Sequence, residues 1–140
     1  MILGFTGTQK QPSLEQFDAL YELVIRLTAG IKPVEAHHGD CIGADYTFHA
    51  ICLELGIPVI IHPPESDKAR AFCEGWEDMM EDKPYLVRNK DIVNVSDIVV
   101  ACPPTFVELK RSGTWSTWRY AKKNGKETYI VFPNGDVEHG

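Results

Sequence analysis

Along this 140-residue chain, apolar residues fall into short unbroken runs that alternate with stripes at three-and-four spacing. Ile2 to Phe5 is one such run, leaving into Thr6-Gly7-Thr8, the pattern of a buried strand ending in a tight turn. Pro12-Ser13 then opens a segment with Leu14, Phe17, Leu20, Tyr21, Val24 and Leu27 on one face, stopped by Gly30. That spacing predicts an amphipathic helix of about four turns. A second strand is expected over Val34 to His38. After the loop Gly39-Asp40-Cys41-Ile42-Gly43, a second helical stripe runs through Ala44, Phe48, Ile51, Cys52 and Leu55 and ends at Gly56. Pro58 to Ile61 gives the third strand.

The acidic stretch from Glu65 to Asp82 is helical at best in pieces. Its charge and Gly75 predict a solvent-facing, partly mobile cover beside the functional loops. Lys83-Pro84 breaks the chain before a short helix around Tyr85 to Val95, and Asp97 to Ala101 forms the fourth strand. A loop with Pro103-Pro104 leads into a helix from about Gly113 to Asn124, capped by Gly125, and Glu127 to Phe132 is the last strand. Unbroken apolar strands alternating with helices call for a parallel sheet covered on both faces. The fold class is therefore α/β, a Rossmann-like doubly wound parallel sheet of about five strands. With strand order 3-2-1-4-5, a ligand is expected beyond the carboxyl ends of the first and fourth strands.

Composition narrows the setting. The length suits one domain over residues 1–140, and no stretch approaches the roughly 20 apolar residues of a membrane span. Cys41, Cys52, Cys73 and Cys102 are dispersed without a CxxC pair, which fits reduced thiols in a cytoplasmic protein better than a disulfide framework or a zinc site. A formal net charge of −6 argues against a nucleic-acid partner. The charge is uneven: residues 83–126 hold 9 of the 14 basic side chains and 3 of the 20 acidic ones. Most of those cations suit solvated helix faces, but Arg88 and Arg119 stand apart as candidates for chemistry.

Every strand exit on the expected carboxyl edge is small or polar, and these exits should converge: Thr6-Gly7-Thr8-Gln9, His38-Gly39-Asp40 with Gly43 beyond, and Ser112-Gly113-Thr114. Glycine lets backbone amides approach an anion, and a helix N-terminus offers free N–H groups with partial positive charge. Ser112-Gly113-Thr114 is thus the best phosphate seat, although an ordinary Ser/Thr N-cap accounts for the same residues. Arg88, beside Asn89, can grip a phosphate or ribose in bidentate fashion, or form a surface ion pair with Asp91. His37 and His38 point to opposite faces of a strand and cannot chelate one ion together, so His37 is expected to pack and His38 to look toward the cleft. Asp40 and Asp45 are candidates for ribose hydroxyls or for a general base, against plainer roles as a turn residue and a first-turn helix acid. One of Trp115 and Trp118 can stack on a base, although packing is the commoner fate of tryptophan. These two, with Trp76, Met79 and Met80, are more large apolar side chains than one small core hides, which predicts a homodimer.

The strings GFTGTQ, HHGDCIGAD, KPYLVRNKDIV and RSGTWSTWRYAKKNG, in that order, resemble the SLOG superfamily of Rossmann-like proteins over nearly the whole chain. Within it the sequence is most similar to the small stand-alone branch with a YspA-type domain of unknown function. Cytokinin-activating phosphoribohydrolases, lysine-decarboxylase-like proteins, DprA and sensor domains for nucleotide-derived messengers belong to the same superfamily. The resemblance implies a nucleotide-like small-molecule ligand, with phosphate at Gly113-Thr114 and support from the first two strand exits. No metal and no cofactor are expected. In the phosphoribohydrolases an arginine before the fourth strand and a glutamate after the glycine-rich turn are the catalytic pair. Arg88 resembles that arginine, but Ser116, Thr117 and Arg119 stand where the acid should be. Asp45 or Glu108 could substitute if the fold brings one of them there. The favoured expectation is a protein that binds a phosphate-bearing nucleotide or nucleotide-derived molecule. The alternative is a nucleoside 5′-monophosphate N-glycosidase with Arg88 and Asp45 as catalytic residues.

Overall fold

A computed structural model describes residues 1–32 and 34–140. The strands β1 (Ile2–Gly7), β2 (Glu35–His38), β3 (Val59–Ile61), β5 (Ile98–Cys102) and β6 (Glu127–Val131) run parallel in the order β3-β2-β1-β5-β6. Helices α1 (Leu14–Thr28), α2 (Ala44–Glu54), α3 (Tyr85–Val95) and α4 (Gly113–Lys123) connect or cover them. The strand order matches the sequence expectation, and so do the helices to within a residue or two at their ends. β1 pairs with β5 in register from Leu3↔Ile98 to Gly7↔Cys102, and with β2 from Ile2↔Glu35 to Gly4↔His37. The chain leaves β1 toward β2 on one side and reaches β5 on the other, so the crevice of a doubly wound sheet opens above Gly7 and Cys102.

Two edge strands were not legible in the apolar pattern. β4 (Asp78–Met79) adds to β3 through Ile60↔Asp78 and Ile61↔Met79, and β7 (Val137–His139) returns antiparallel along β6. The sheet therefore has seven strands. Edge strands this short and polar carry no apolar run to betray them, and backbone pairing alone places them.

Leu3 and Phe5 of β1, Leu20, Leu23 and Val24 of α1, and Phe48 and Ile51 of α2 form the main core with Val59, Ile61 and Val100. Phe5 and Phe48 stack with ring centroids 4.4 Å apart. Across the sheet, Val93 of α3, Val99 of β5 and Ala121 of α4 form a second cluster. Among the described residues no helix is long and apolar enough to cross a membrane. All four cysteines are free and buried. Trp115 is buried and Met79 packs against the core, whereas Trp76 and Met80 are substantially exposed.

Candidate functional site

The crevice above β1 and β5 is a cavity of about 470 Å³. Thr6, Gly7 and Thr8 line it from β1 and its exit, Gly39 from the exit of β2, and Arg88 and Asn89 from α3. Ser112, Gly113 and Thr114 line it from the start of α4, and Asp45 from the start of α2. Gln9, Lys10, Cys41, Thr105 and Leu109 also face it. Gln9 closes the first strand exit and Cys41 lies in the Gly39–Gly43 loop, both read from the sequence, whereas nothing in the local pattern of Lys10, Thr105 and Leu109 distinguishes them from ordinary loop residues.

The N-terminus of α4 is open to the cavity. Ser112 has extended backbone and its Oγ accepts from the N–H of Trp115 at 3.3 Å, so it is an N-cap. Gly113 and Thr114 occupy the first helical positions, where N–H groups have no intrahelical acceptor. The cap and the open donors coexist at one turn, so the two sequence readings of this segment do not exclude each other. Trp115 turns away: its Nε1 donates to Thr105 Oγ1 at 3.0 Å and its ring meets Trp118 edge-on. Neither tryptophan lines the cavity.

Arg88 is not a surface residue. It is buried, and Asp91 pairs instead with Lys83 at 2.7 Å. Arg88 Nη1 donates to the carbonyl oxygens of Gly39 and, at 3.1 Å, His62. Nη2 reaches Cys41 Sγ at 3.7 Å, and the guanidinium lies over the Tyr85 ring. Nε has no hydrogen-bond partner. Gly39 is what allows this: a Cβ there would lie 2.5 Å from Arg88 Cζ. A fixed positive charge is thus held at the cavity wall by backbone carbonyls, with no carboxylate bonded to it.

Asp45 sits in the first turn of α2 and is buried. Its Oδ2 accepts from the N–H of Cys41 at 3.1 Å, while Oδ1 has no well-formed hydrogen bond. Burial pushes its carboxyl up to about 6, against the opposing pull of Arg88 and of the Cys41 and Gly39 backbone N–H groups. Glu108 is not in this position: it pairs with Arg119 at 2.8 Å on an exposed loop. Of the two acids considered as substitutes, the fold brings Asp45 to the cavity.

Three residues grouped with the site in sequence lie outside the cavity lining. His38 does not look toward the cleft; it is fully buried under α2, edge-on to Phe48. Asp40, also fully buried, points into the segment that follows β3, where its Oδ2 accepts from Arg70 Nε at 2.8 Å and its Oδ1 from the N–H of Cys73 at 2.9 Å. Gly43, with φ +86°, lets the start of α2 close on the β1 exit: a Cβ there would meet Thr8 and Gln9 backbone at 2.5–2.6 Å. These residues shape the loops that form the wall. No residue of 65–82 lines the cavity, so that stretch does not cover it.

One ring nitrogen each of His38 and His49 and the Sγ of Cys73 lie within 4.8 Å of one another, close enough to suggest a metal ion. The hydrogen bonds there argue otherwise. Asp40 N–H donates to His38 Nδ1 at 2.9 Å, and burial holds His38 neutral, so its proton is on Nε2 and points at His49 Nδ1. His49 Nε2 in turn donates to the Glu74 carbonyl at 2.6 Å. A metal at this point would have to displace a proton from a ring whose other nitrogen is already an acceptor. His37 faces the other way, buried between Glu35 at 2.6 Å and His62 at 2.7 Å. A cavity of about 520 Å³ at the opposite end of the sheet has Lys32 as its one charged side chain among the described residues, and no acid.

No protein-family model and no curated protein matches the sequence. Solved structures do match in fold. The molybdenum cofactor binding protein of the phototrophic bacterium Rippkaea orientalis superposes with a TM-score of 0.70 at 20% identity, over 94% of this chain and 76% of that one. The Moco carrier protein of Chlamydomonas reinhardtii gives 0.67 at 18% identity, over 92% and 74%. DNA processing protein A of Helicobacter pylori, described for its single-stranded DNA binding mode, gives 0.64 at 18% identity, over 93% and 64%. At these identities the likeness is one of fold, a Rossmann-like α/β fold.

Proposed function

We propose that this SLOG-type chain binds a phosphate-bearing nucleotide or nucleotide-derived small molecule in the cavity above β1 and β5. The observation that carries the reading is that Gly113 and Thr114, with open N–H groups, share one cavity with the buried cation Arg88. A helix N-terminus supplies donors with little net charge, and a clamped guanidinium supplies charge, so together they match a phosphate. The hydroxyls of Thr6 and Thr8 and the Asn89 amide suit the sugar, and Tyr85 with Ile92 offers apolar surface to a ring system. Two neighbours in fold are named for binding the molybdenum cofactor, which supports a small-molecule reading of this crevice. The net charge of −6 argues against DNA as the ligand.

A second reading, hydrolysis of the N-glycosidic bond of a nucleoside 5′-monophosphate, is favoured by Asp45 alone. A buried carboxyl with a pKa of about 6 and one oxygen without a well-formed hydrogen bond is poised to exchange a proton near neutral pH. In that reaction water adds to the sugar carbon, the bonding electron pair leaves with the base, the departing nitrogen takes a proton from the carboxyl, and the carboxylate so formed takes up the proton that the added water releases. Calorimetric titration with a panel of nucleoside 5′-monophosphates and their parent nucleosides tests binding. Chromatography of the same mixtures for free base tests hydrolysis. Monophosphates that bind no better than nucleosides would remove the phosphate seat, and a panel that yields no free base leaves binding as the function.

A further inference from the structure

Asp45 and Arg88 line one cavity, and their geometry ties the charge of the first to whatever fills the space. Asp45 is 5% exposed, with one carboxylate oxygen bonded to the Cys41 N–H and the other without a well-formed bond. That second oxygen can take a proton without breaking an existing bond. Arg88 cannot turn to form a bidentate pair with Asp45, because Nη1 is held by the carbonyls of Gly39 and His62. An anion seated at Gly113 and Thr114 draws on the field of Arg88 and repels an ionised Asp45 through the same low-dielectric space.

We propose that the cavity binds its anionic ligand together with one proton from solvent, and that Asp45 is the group that takes it up. This deepens the phosphate-binding reading and rests on it. The charged and titratable groups that face Asp45 leave it to carry the change. Arg88 approaches from α3 and Lys10 lines the cavity from the β1 exit. Asp40 is committed to Arg70 at 2.8 Å. Burial raises the Cys41 thiol to about 11 and the Cys73 and Cys102 thiols higher still, so all three remain protonated near neutral pH. His62, pushed by burial down to about 4, is already neutral.

Burial holds Asp45 at about 6, so at pH 7 it is mostly ionised. A unit charge ~7 Å away at an effective permittivity of ~20 raises a carboxyl by roughly one to two pKa units. A phosphate dianion does more, which carries Asp45 across neutrality on binding. The sign follows: the complex holds more protons than the free protein, so affinity falls as pH rises between about 6 and 8, by up to about tenfold per pH unit. An uncharged nucleoside lacks this dependence.

The test is calorimetric titration of the full chain with adenosine 5′-monophosphate at pH 7 in two buffers of different ionisation enthalpy, for the parent and Asp45→Asn. The parent is expected to take up roughly 0.5–1 proton per ligand more than Asp45→Asn, a difference that cancels the phosphate's own ionisation. The variant should hold its affinity from pH 6.5 to 8 while the parent weakens. If thermal melts show Asp45→Asn misfolded, carbon NMR of the parent's Asp45 carboxyl gives the same answer, rising from about 6 to above 7 when the nucleotide is added. Equal proton counts, or an unmoved carboxyl in a protein that binds the nucleotide, overturn the proposal and leave the anion site standing. A parent that does not bind the nucleotide overturns both.

Discussion

Replacing Gly39 with alanine probes whether Arg88 is clamped for a purpose. A Cβ at Gly39 would sit 2.5 Å from Arg88 Cζ, whereas carbon atoms in contact keep about 3.5 Å or more. The guanidinium must retreat by roughly 1 Å, which breaks its bond to the Gly39 carbonyl and stretches the 3.1 Å bond to His62 beyond reach. Hydrogen bonds to a charged group contribute about 1.5–3 kcal/mol each. Some of this is recovered as the flexible side chain finds water or new acceptors, so the net cost to stability is about 2–4 kcal/mol. For a chain of this length that lowers Tm by roughly 6–20 °C. Calorimetric melts give this number, and titration with adenosine 5′-monophosphate gives the second: a loss of about ten- to a hundredfold in affinity as the charge leaves the wall. Gly113→Ala is the control for stability, because a Cβ there meets nothing within 4 Å. A Gly39→Ala protein that melts and binds like the parent would refute the assignment of Arg88 as a fixed anion partner.

Asp45→Asn should stabilise the protein at pH 7 by up to about 3 kcal/mol, because the native carboxyl is raised from 3.8 to about 6 and its ionisation opposes folding. The native state binds the extra proton, so the parent loses stability as pH rises from about 4 to about 6, and the advantage of the variant should vanish in melts at pH 4. Asp40→Ala removes the buried partner of Arg70 and of the Cys73 N–H, and should cost about 3–5 kcal/mol. Hydrogen exchange should then quicken in residues 65–77 while β1 and β5 keep their protection, and unchanged exchange would show that Asp40 does not hold that segment. Light scattering at micromolar concentration is expected to give a dimer mass, with Trp76 and Met80 among the apolar side chains left exposed by the single chain; a mass near 16 kDa would count against it.

The legible and illegible parts of this molecule differ in physical kind. α1 was readable because its apolar stripe, Ser13 cap and Gly30 stop all agree, and β5 because its apolar run has no competing period. Glycine-bearing strand exits foretold that Gly7, Gly39 and Gly113 would meet, since a parallel sheet gathers such exits at one edge. The direction of a side chain inside a turn was not readable. Asp40, with φ +59°, turns its carboxylate away from the crevice, while Asp45, five residues on, turns toward it. The burial of Arg88 was equally hidden, because its partners are backbone carbonyls of residues 39 and 62, which no sequence pattern names. β4 and β7 owe their place to neighbours already in the sheet.

The most direct test of the cavity as a phosphate site is a crystal structure of the protein with adenosine 5′-monophosphate bound. The phosphate is expected about 3 Å from the N–H groups of Gly113 and Thr114, within the electrostatic reach of Arg88 and on the same side of the sheet as Asp45. A nucleotide ordered in any other cavity, or one whose phosphate points to solvent while its base fills the Gly113–Thr114 end, would contradict it.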